Sequence, residues 1–244
     1  MAASPSEYER YQQVVLVDYS LSQLQFAQEH YGKSDRFIYV AADAYNLPFR
    51  AGIFDGATMI RVIHHMAHVD DVLAQVRRVL TPGGMFILEH ANKRNLKAML
   101  RYALKRQSWN PYTPEPVEFV ELNFDFHPEY MRAALKRAGF RVETRVPVSY
   151  LRAEPLKRAL SPDLLVAADS VLQRSGLLYA PSVFIKSEAV GQGPNHIGAG
   201  ALFACPDCGG DVIQQGSTIV CQREKRRWAL RDGIYDFKAP LDSD

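Results

Sequence analysis

Two acidic residues stand at the ends of short apolar runs near the start of the chain. Asp18 closes VVLVD and Asp43 follows FIYVAA. A carboxylate at the carboxyl end of a strand in an open parallel sheet sits where such sheets hold their ligands. Turn capping is the bland alternative for both. His64 and His65 follow a third apolar run, and paired imidazoles suit either proton transfer or the anchoring of a loop. Far down the chain, Cys205-Pro-Asp-Cys208-Gly-Gly and Cys221 contain all three cysteines of the sequence. Two thiolates at that spacing on a tight turn grip one zinc ion, and a strand-like run from Ser217 leads to the third. Three residues beyond Cys221, where a second knuckle would repeat its cysteine, stands Glu224. Three thiolates plus the Glu224 carboxylate are the preferred donor set. A water in the fourth position, or loss of the metal, are the alternatives.

The elements that must position these groups follow from hydrophobic period. Val14 to Val17 is continuous and β-branched, as a buried strand is. Ser20 then caps a helix with Leu21, Leu24 and Ala27 on one face, which Gly32 ends. Phe37 to Val40 and Phe54 to Ile60 are further strands, separated by the turn Leu47-Pro48-Phe49. A helix over 69–80 carries Val69, Val72, Leu73, Val76, Val79 and Leu80 on one face, and Pro82-Gly83-Gly84 turns into the strand Met85 to Leu88. Strand and helix in alternation are parallel βαβ units.

Composition sets the outer bounds. A chain of 244 residues, 47% hydrophobic, builds one sizeable α/β core with a small appendage. A net charge of +2 points to no particular partner. No run approaches the ~20 apolar residues of a membrane helix, and MAASPSEYERYQQ has no signal-peptide core, which favours a cytoplasmic location. An odd, clustered set of thiols then favours metal over disulfide.

LVDYS, AADAYNLPF, FDGATMIRVIHHM and LTPGGMFILEH, in this order, resemble the class I S-adenosylmethionine-dependent methyltransferases, nearest the quinone-biosynthesis group. The resemblance covers roughly residues 14 to 140. It implies a Rossmann-like, doubly wound, mostly parallel sheet, and S-adenosylmethionine as cofactor. Asp18 would accept from the two ribose hydroxyls, with Tyr19 near the ribose and adenine. Asp43 would face the exocyclic amine beside Ala44, and Arg61 and Val62 would line the methionine end. His64 and His65 are the candidate bases, with His127 as a third.

One family feature is missing: a first strand followed by a glycine-rich loop precedes the strand that holds the ribose carboxylate. Here thirteen residues precede Val14, and none is glycine. The loop lets backbone approach the cofactor's amino-acid end. Without it the resemblance implies weakened or lost activity, and two half-sheets that must close on each other or expose an apolar seam. Met1 as an internal start is the favoured explanation; a degenerate relative is the other.

Beyond Glu89 the chain departs from the minimal fold. Asn92 to Gln107 reads as an amphipathic helix with Leu96, Met99, Leu100, Ala103 and Leu104 on one face and Lys93, Lys97, Arg101 and Lys105 on another. It is either a lid that meets an anionic substrate (nucleic acid, phosphorylated metabolite or lipid headgroup) or a solvated face. Pro128 opens a helix ended by Gly139, a strand runs from Phe140 to Tyr150, and a second inserted helix spans about 156–173. SVFIK, Ser182 to Lys186, is the last strand of the methyltransferase part, residues 1–187. Residues 188–200 form a glycine-rich linker, and 201–244 a zinc-ribbon-like β module. Its end, WALRDGIYDF, resembles bacterial zinc ribbons related to the small zinc protein that activates methyltransferases by pairing with them. Arg223, Lys225, Arg226 and Arg227 beside Trp228 add an RNA-binding alternative. Two further readings therefore stand beside a methyltransferase with an unidentified acceptor. One is a non-catalytic module that pairs with a partner protein or a second copy; the other is an RNA-binding protein.

Overall fold

The structure, a computed structural model, describes residues 8, 10–151, 161–198 and 200–241. It divides into two compact units, Met1–Arg50 with Gly198–Asp244, and Ala51–Ile197.

In the first unit, β1 (Val14–Asp18), α1 (Leu21–Tyr31) and β2 (Phe37–Ala41) form one βαβ unit. Ser20 caps α1 by accepting from the Gln23 N–H at 3.4 Å, and Gly32 closes it at φ +81°, a conformation natural to glycine. The same unit contains β9 (Val212–Gln215), β10 (Thr218–Cys221), β11 (Arg227–Arg231) and β12 (Ile234–Asp236), of which β10 matches the strand-like run expected from Ser217. The six strands make one sheet in the order β1-β2-β12-β11-β10-β9. The last strand of the C-terminal module therefore lies in parallel against β2, with Ile234 opposite Tyr39 and Asp236 opposite Ala41. A two-residue turn sets this up. Asp232 and Gly233 both have positive φ, 51° and 83°, between the paired Arg231 and Ile234. That is the Asp-Gly hairpin whose twist matches the strands it joins. Gln28 on α1 donates to the Asp232 carbonyl at 3.0 Å. Leu24, Tyr39, Ala41 and Ile234 form the buried core here, with Leu16, Leu21, Ala27 and Phe37 packed around it.

The second unit contains a four-stranded sheet in the order β3-β4-β8-β7. Its strands are β3 (Phe54–Met59), β4 (Leu80–Ala91), β7 (Phe140–Val148) and β8 (Ser182–Ala189). β3 and β4 are parallel; β8 runs antiparallel to both β4 and β7. The unit also holds α2 (Val69–Val79), α3 (Leu96–Ala103), the hairpin β5 (Val117–Val120) and β6 (Asn123–Asp125), α4 (Pro128–Arg137) and α5 (Pro162–Arg174). α2 buries Val69, Val72, Leu73, Val76 and Val79, as its period predicts. β1 is an edge strand of the six-stranded sheet and β3 an edge strand of the four-stranded one, so the parallel strands form two separate ladders.

Two helices differ from their expected spans. α3 is eight residues long, not sixteen, because Asn92 and Lys93 are buried and committed elsewhere. The Asn92 amide donates to the Leu178 and Ala180 carbonyls, and the Asn95 side chain then caps α3 at the Ala98 N–H. Ala98 is the buried residue of α3, whereas Leu96, Leu100 and Leu104 are exposed. The expected apolar face thus points outward. The expected 156–173 helix begins among residues outside the described ones; its described part is α5, capped by Ser161 with Pro162 in the first turn.

Candidate functional site

Asp18 and Asp43 lie at the same end of the first unit's sheet. β1 and β2 are parallel, Asp18 is opposite Ala41, and the Ala42 N–H donates to the Asp18 carbonyl at 3.2 Å. Asp43 follows one residue later. Each carboxylate also closes its own turn: Asp18 Oδ1 accepts from the Ser20 N–H at 2.8 Å, and Asp43 Oδ1 from the Tyr45 N–H at 2.9 Å. Capping engages one oxygen of each, and an ionised carboxylate has two oxygens and about four acceptor positions. The capping reading and the ligand reading are therefore compatible. Asp18 is exposed, Asp43 and Ala44 are half-buried, and Tyr19 presents an exposed ring at the same level. A ribose diol and an adenine amine fit that donor-poor, acceptor-rich rim with an aromatic surface beside it.

Arg61, Val62, His64 and His65 belong to the second unit, just beyond β3. Arg61 has φ +59°, uncommon for a side chain of its size, and its N–H donates to Glu89 Oε2 at 2.9 Å. Ser182 donates to the other Glu89 oxygen. Glu89 is buried at the end of β4 and so holds the backbone that presents Arg61 and Val62. The sequence reading passed over it, although FILE ends in an acid just as VVLVD does.

His64 and His65 form a short turn with ring centroids 4.0 Å apart. His65 Nδ1 lies 3.1 Å from the Leu122 carbonyl in the β5–β6 turn, which is the loop-anchoring role. Burial first, and the neighbouring His65 second, hold His64 below the usual imidazole range. It is therefore neutral at pH 7, the form a base needs. His127 is committed elsewhere: its Nδ1 accepts from the Glu129 N–H at 3.2 Å and caps α4. His90 is fully buried with Nδ1 against the Ala91 carbonyl at 3.0 Å, and burial pushes it down to about 4.

The three cysteines converge. Their sulfurs lie within 4.8 Å of one another, and Cys208 and Cys221 are 3.6 Å apart. Tetrahedral zinc with Zn–S bonds of about 2.3 Å sets its sulfurs about 3.8 Å apart, so the group fits. The two knuckles also share one backbone path. The Gly209 N–H donates to the Cys205 carbonyl and the Lys225 N–H to the Cys221 carbonyl, at 2.9 and 3.0 Å. Gly209 and Lys225 have φ of 68° and 61°. Cys205 and Cys221 in turn donate to the Gly210 and Arg226 carbonyls. Glu224 thus occupies in the second knuckle the place Cys208 has in the first. Its carboxylate lies within 4.8 Å of Cys205 Sγ and of Asp207, and 3.5 Å from Arg226.

Residues 2–88 match a family model described as a methyltransferase domain. The ubiquinone/menaquinone biosynthesis C-methyltransferase UbiE of Pseudomonas syringae pv. tomato is 34% identical over 141 residues, 52% of this chain and 55% of that protein. The malonyl-[acyl-carrier protein] O-methyltransferase of Geobacter sulfurreducens is 30% identical over 131 residues, 52% of this chain and 46% of that protein. The chain thus spans about half the length of these curated relatives, and 19% of a Caenorhabditis elegans sterol 4-C-methyltransferase that is 41% identical over 64 residues. Among solved structures, a Haloferax volcanii complex between the Trm112 methyltransferase activator and a methyltransferase aligns with TM-score 0.51 and 15% identity, covering 75% of this chain and 74% of that one. The [4+2]-cyclase SpnF aligns with TM-score 0.52 and 19% identity, covering 76% and 70%. At these identities the two structures show a shared fold.

The burial of His90 yields a pH prediction. Its folded value lies below the ~6.5 of a free imidazole, so the unfolded chain binds the extra proton and stability falls as pH drops from 6.5 towards 4. The loss reaches about 3 kcal/mol, read as the difference in urea-unfolding free energy between pH 7 and pH 4. His90→Leu is expected to flatten that limb; an unchanged slope would assign the acid sensitivity elsewhere.

Proposed function

We propose that this chain, whose residues 2–88 match a methyltransferase-domain model, is built on a class I S-adenosylmethionine-dependent methyltransferase domain that binds S-adenosylmethionine and transfers its methyl group to an acceptor. The observation that carries the reading is the level pairing of β1 and β2, which brings Asp18, Tyr19, Asp43 and Ala44 to one end of a parallel pair. Asp18 accepts from the ribose hydroxyls, Asp43 from the adenine amine, and Tyr19 offers a ring to the nucleoside. S-adenosylmethionine supplies an electrophilic methyl on a sulfonium, so the protein needs alignment and exclusion of water rather than a nucleophile of its own. In the second unit, Glu89 holds the backbone that presents Arg61 and Val62. His64, neutral at pH 7, is the base where the acceptor must lose a proton, and His65 fixes the loop beside it. On α3 and its C-cap residue, the exposed Leu96, Leu100 and Leu104 lie along Lys97 and Arg101, which are exposed too. That surface suits an acceptor with an anionic group on an apolar body better than a bare polyanion such as RNA.

Calorimetry with S-adenosylhomocysteine tests the cofactor reading. Binding tighter than about 1 mM is expected. Asp18→Asn and Asp43→Asn should each weaken it about 10-fold or more, the scale of a hydrogen bond to a charged group. No heat at millimolar ligand, or full affinity in both variants, would remove the assignment.

Cys205, Cys208, Cys221 and Glu224 together hold one zinc ion. The repeated knuckle geometry supports Glu224 as the fourth ligand, and the ion braces the β9–β12 end of the sheet. Elemental analysis should find one zinc per chain and about none in Cys208→Ser, with Glu224→Gln weakened. A metal-free protein of equal thermal stability would count against this.

A further inference from the structure

The C-terminal module does more than lengthen the sheet. Asp18 and Asp236 are both opposite Ala41, one on each side, so three neighbouring parallel strands end level. The ladder continues one step further, with the Phe237 N–H donating to the Ala41 carbonyl at 2.8 Å. All three strand ends then turn in the same manner. The Lys238 N–H donates to Asp236 Oδ1 at 3.3 Å, just as Ser20 does to Asp18 and Tyr45 to Asp43. This turn aims Lys238 back across the strand ends. Its ammonium lies 5.4 Å from the centre of the Tyr19 ring. A cation at that distance over a phenol ring is attracted by the ring's quadrupole.

The lysine is presented from a firm base. Phe237, next to it, is 4% exposed, with ring centroids 5.1 Å from Phe203 and 5.6 Å from Trp228. Tyr19, by contrast, is 65% exposed on a turn, where a tyrosine ring keeps its rotamer freedom unless something holds it. The half-buried Lys238 engages that ring. An aromatic surface already oriented in the free protein costs less to use on binding than one that must be ordered by the ligand.

We propose that Lys238 is a positioning residue for the nucleoside end of the cofactor site, holding the Tyr19 ring in place through the cation–π contact. The inference rests on the methyltransferase reading above and adds to it that the C-terminal module takes part in cofactor binding through its own side chain. Lys238 itself makes no contact with reacting atoms; it acts through Tyr19.

The test is S-adenosylhomocysteine affinity by calorimetry on the full chain, with thermal unfolding measured on every variant. Lys238→Met keeps the apolar stem and removes the charge, and should weaken binding about 2–5-fold, the scale of one exposed cation–π contact. Lys238→Arg should restore near wild-type affinity. In a Tyr19→Leu background, Lys238→Met should cost nothing further, since the coupling runs through the ring. Equal losses in Lys238→Met and Lys238→Arg would overturn the proposal, because a packing defect rather than the charge would then be responsible. So would undiminished affinity in Lys238→Met, or a loss that persists without the Tyr19 ring. A wild-type chain that binds no S-adenosylhomocysteine would overturn the cofactor reading, and this inference with it.

Discussion

The parallel ladder between β2 and β12 is the constraint on which the first unit depends. β2 is the most buried strand there: Tyr39, Val40 and Ala41 are at most 1% exposed. A parallel strand so buried needs hydrogen-bonding partners on both edges, because an orphaned buried backbone group costs about as much as a lost hydrogen bond. β1 supplies one edge through five paired positions, and β12 supplies the other through three. Ile234 closes the core beneath Leu24 and Tyr39. The Asp232-Gly233 turn sets the register, and Gln28 from α1 grips its carbonyl. Residues from both ends of the chain thus complete one apolar cluster, and the carboxylate rim is level because the ladder makes it so.

Turn closure and ligand recognition use the same side chains at this rim. An aspartate that caps the residue two places on has its side chain fixed before any ligand arrives, and it retains unused acceptor positions. In the second unit Glu89 plays a comparable part at a distance. Buried, and accepting from Ser182 and from the Arg61 N–H, it stabilises a left-handed backbone at Arg61 that would otherwise cost roughly 1–3 kcal/mol. Strain held in this way belongs where side chains must be presented at a fixed angle.

Much of this was legible in the sequence, for identifiable reasons. Continuous apolar runs gave β1 and β2, a helical period gave α2, and Ser20 and Gly32 bounded α1 because capping chemistry is local. The CxxC knuckle and the run to Cys221 pointed to three converging thiols. What stayed hidden was non-local. The short segment IYD shows no preference between closing a ribbon on itself and joining β2, since pairing depends on an edge far away in sequence. Lys238 reads as one more surface lysine until that pairing carries it to Tyr19. The outward leucines of α3 defeated the periodicity argument: the period was right, but the buried side is set by Ala98 and the fixed Asn92 and Lys93, not by the largest apolar residues. Glu89 had a signal, an acid at the end of an apolar strand, and it was the same one that marked Asp18.

Amide hydrogen exchange with and without S-adenosylhomocysteine tests the central claim, that three level strand ends form one nucleoside rim. The account predicts added protection at 18–20, at 42–45 and at 236–238 together. Protection confined to other segments, with these three unchanged while the ligand is bound, would contradict it.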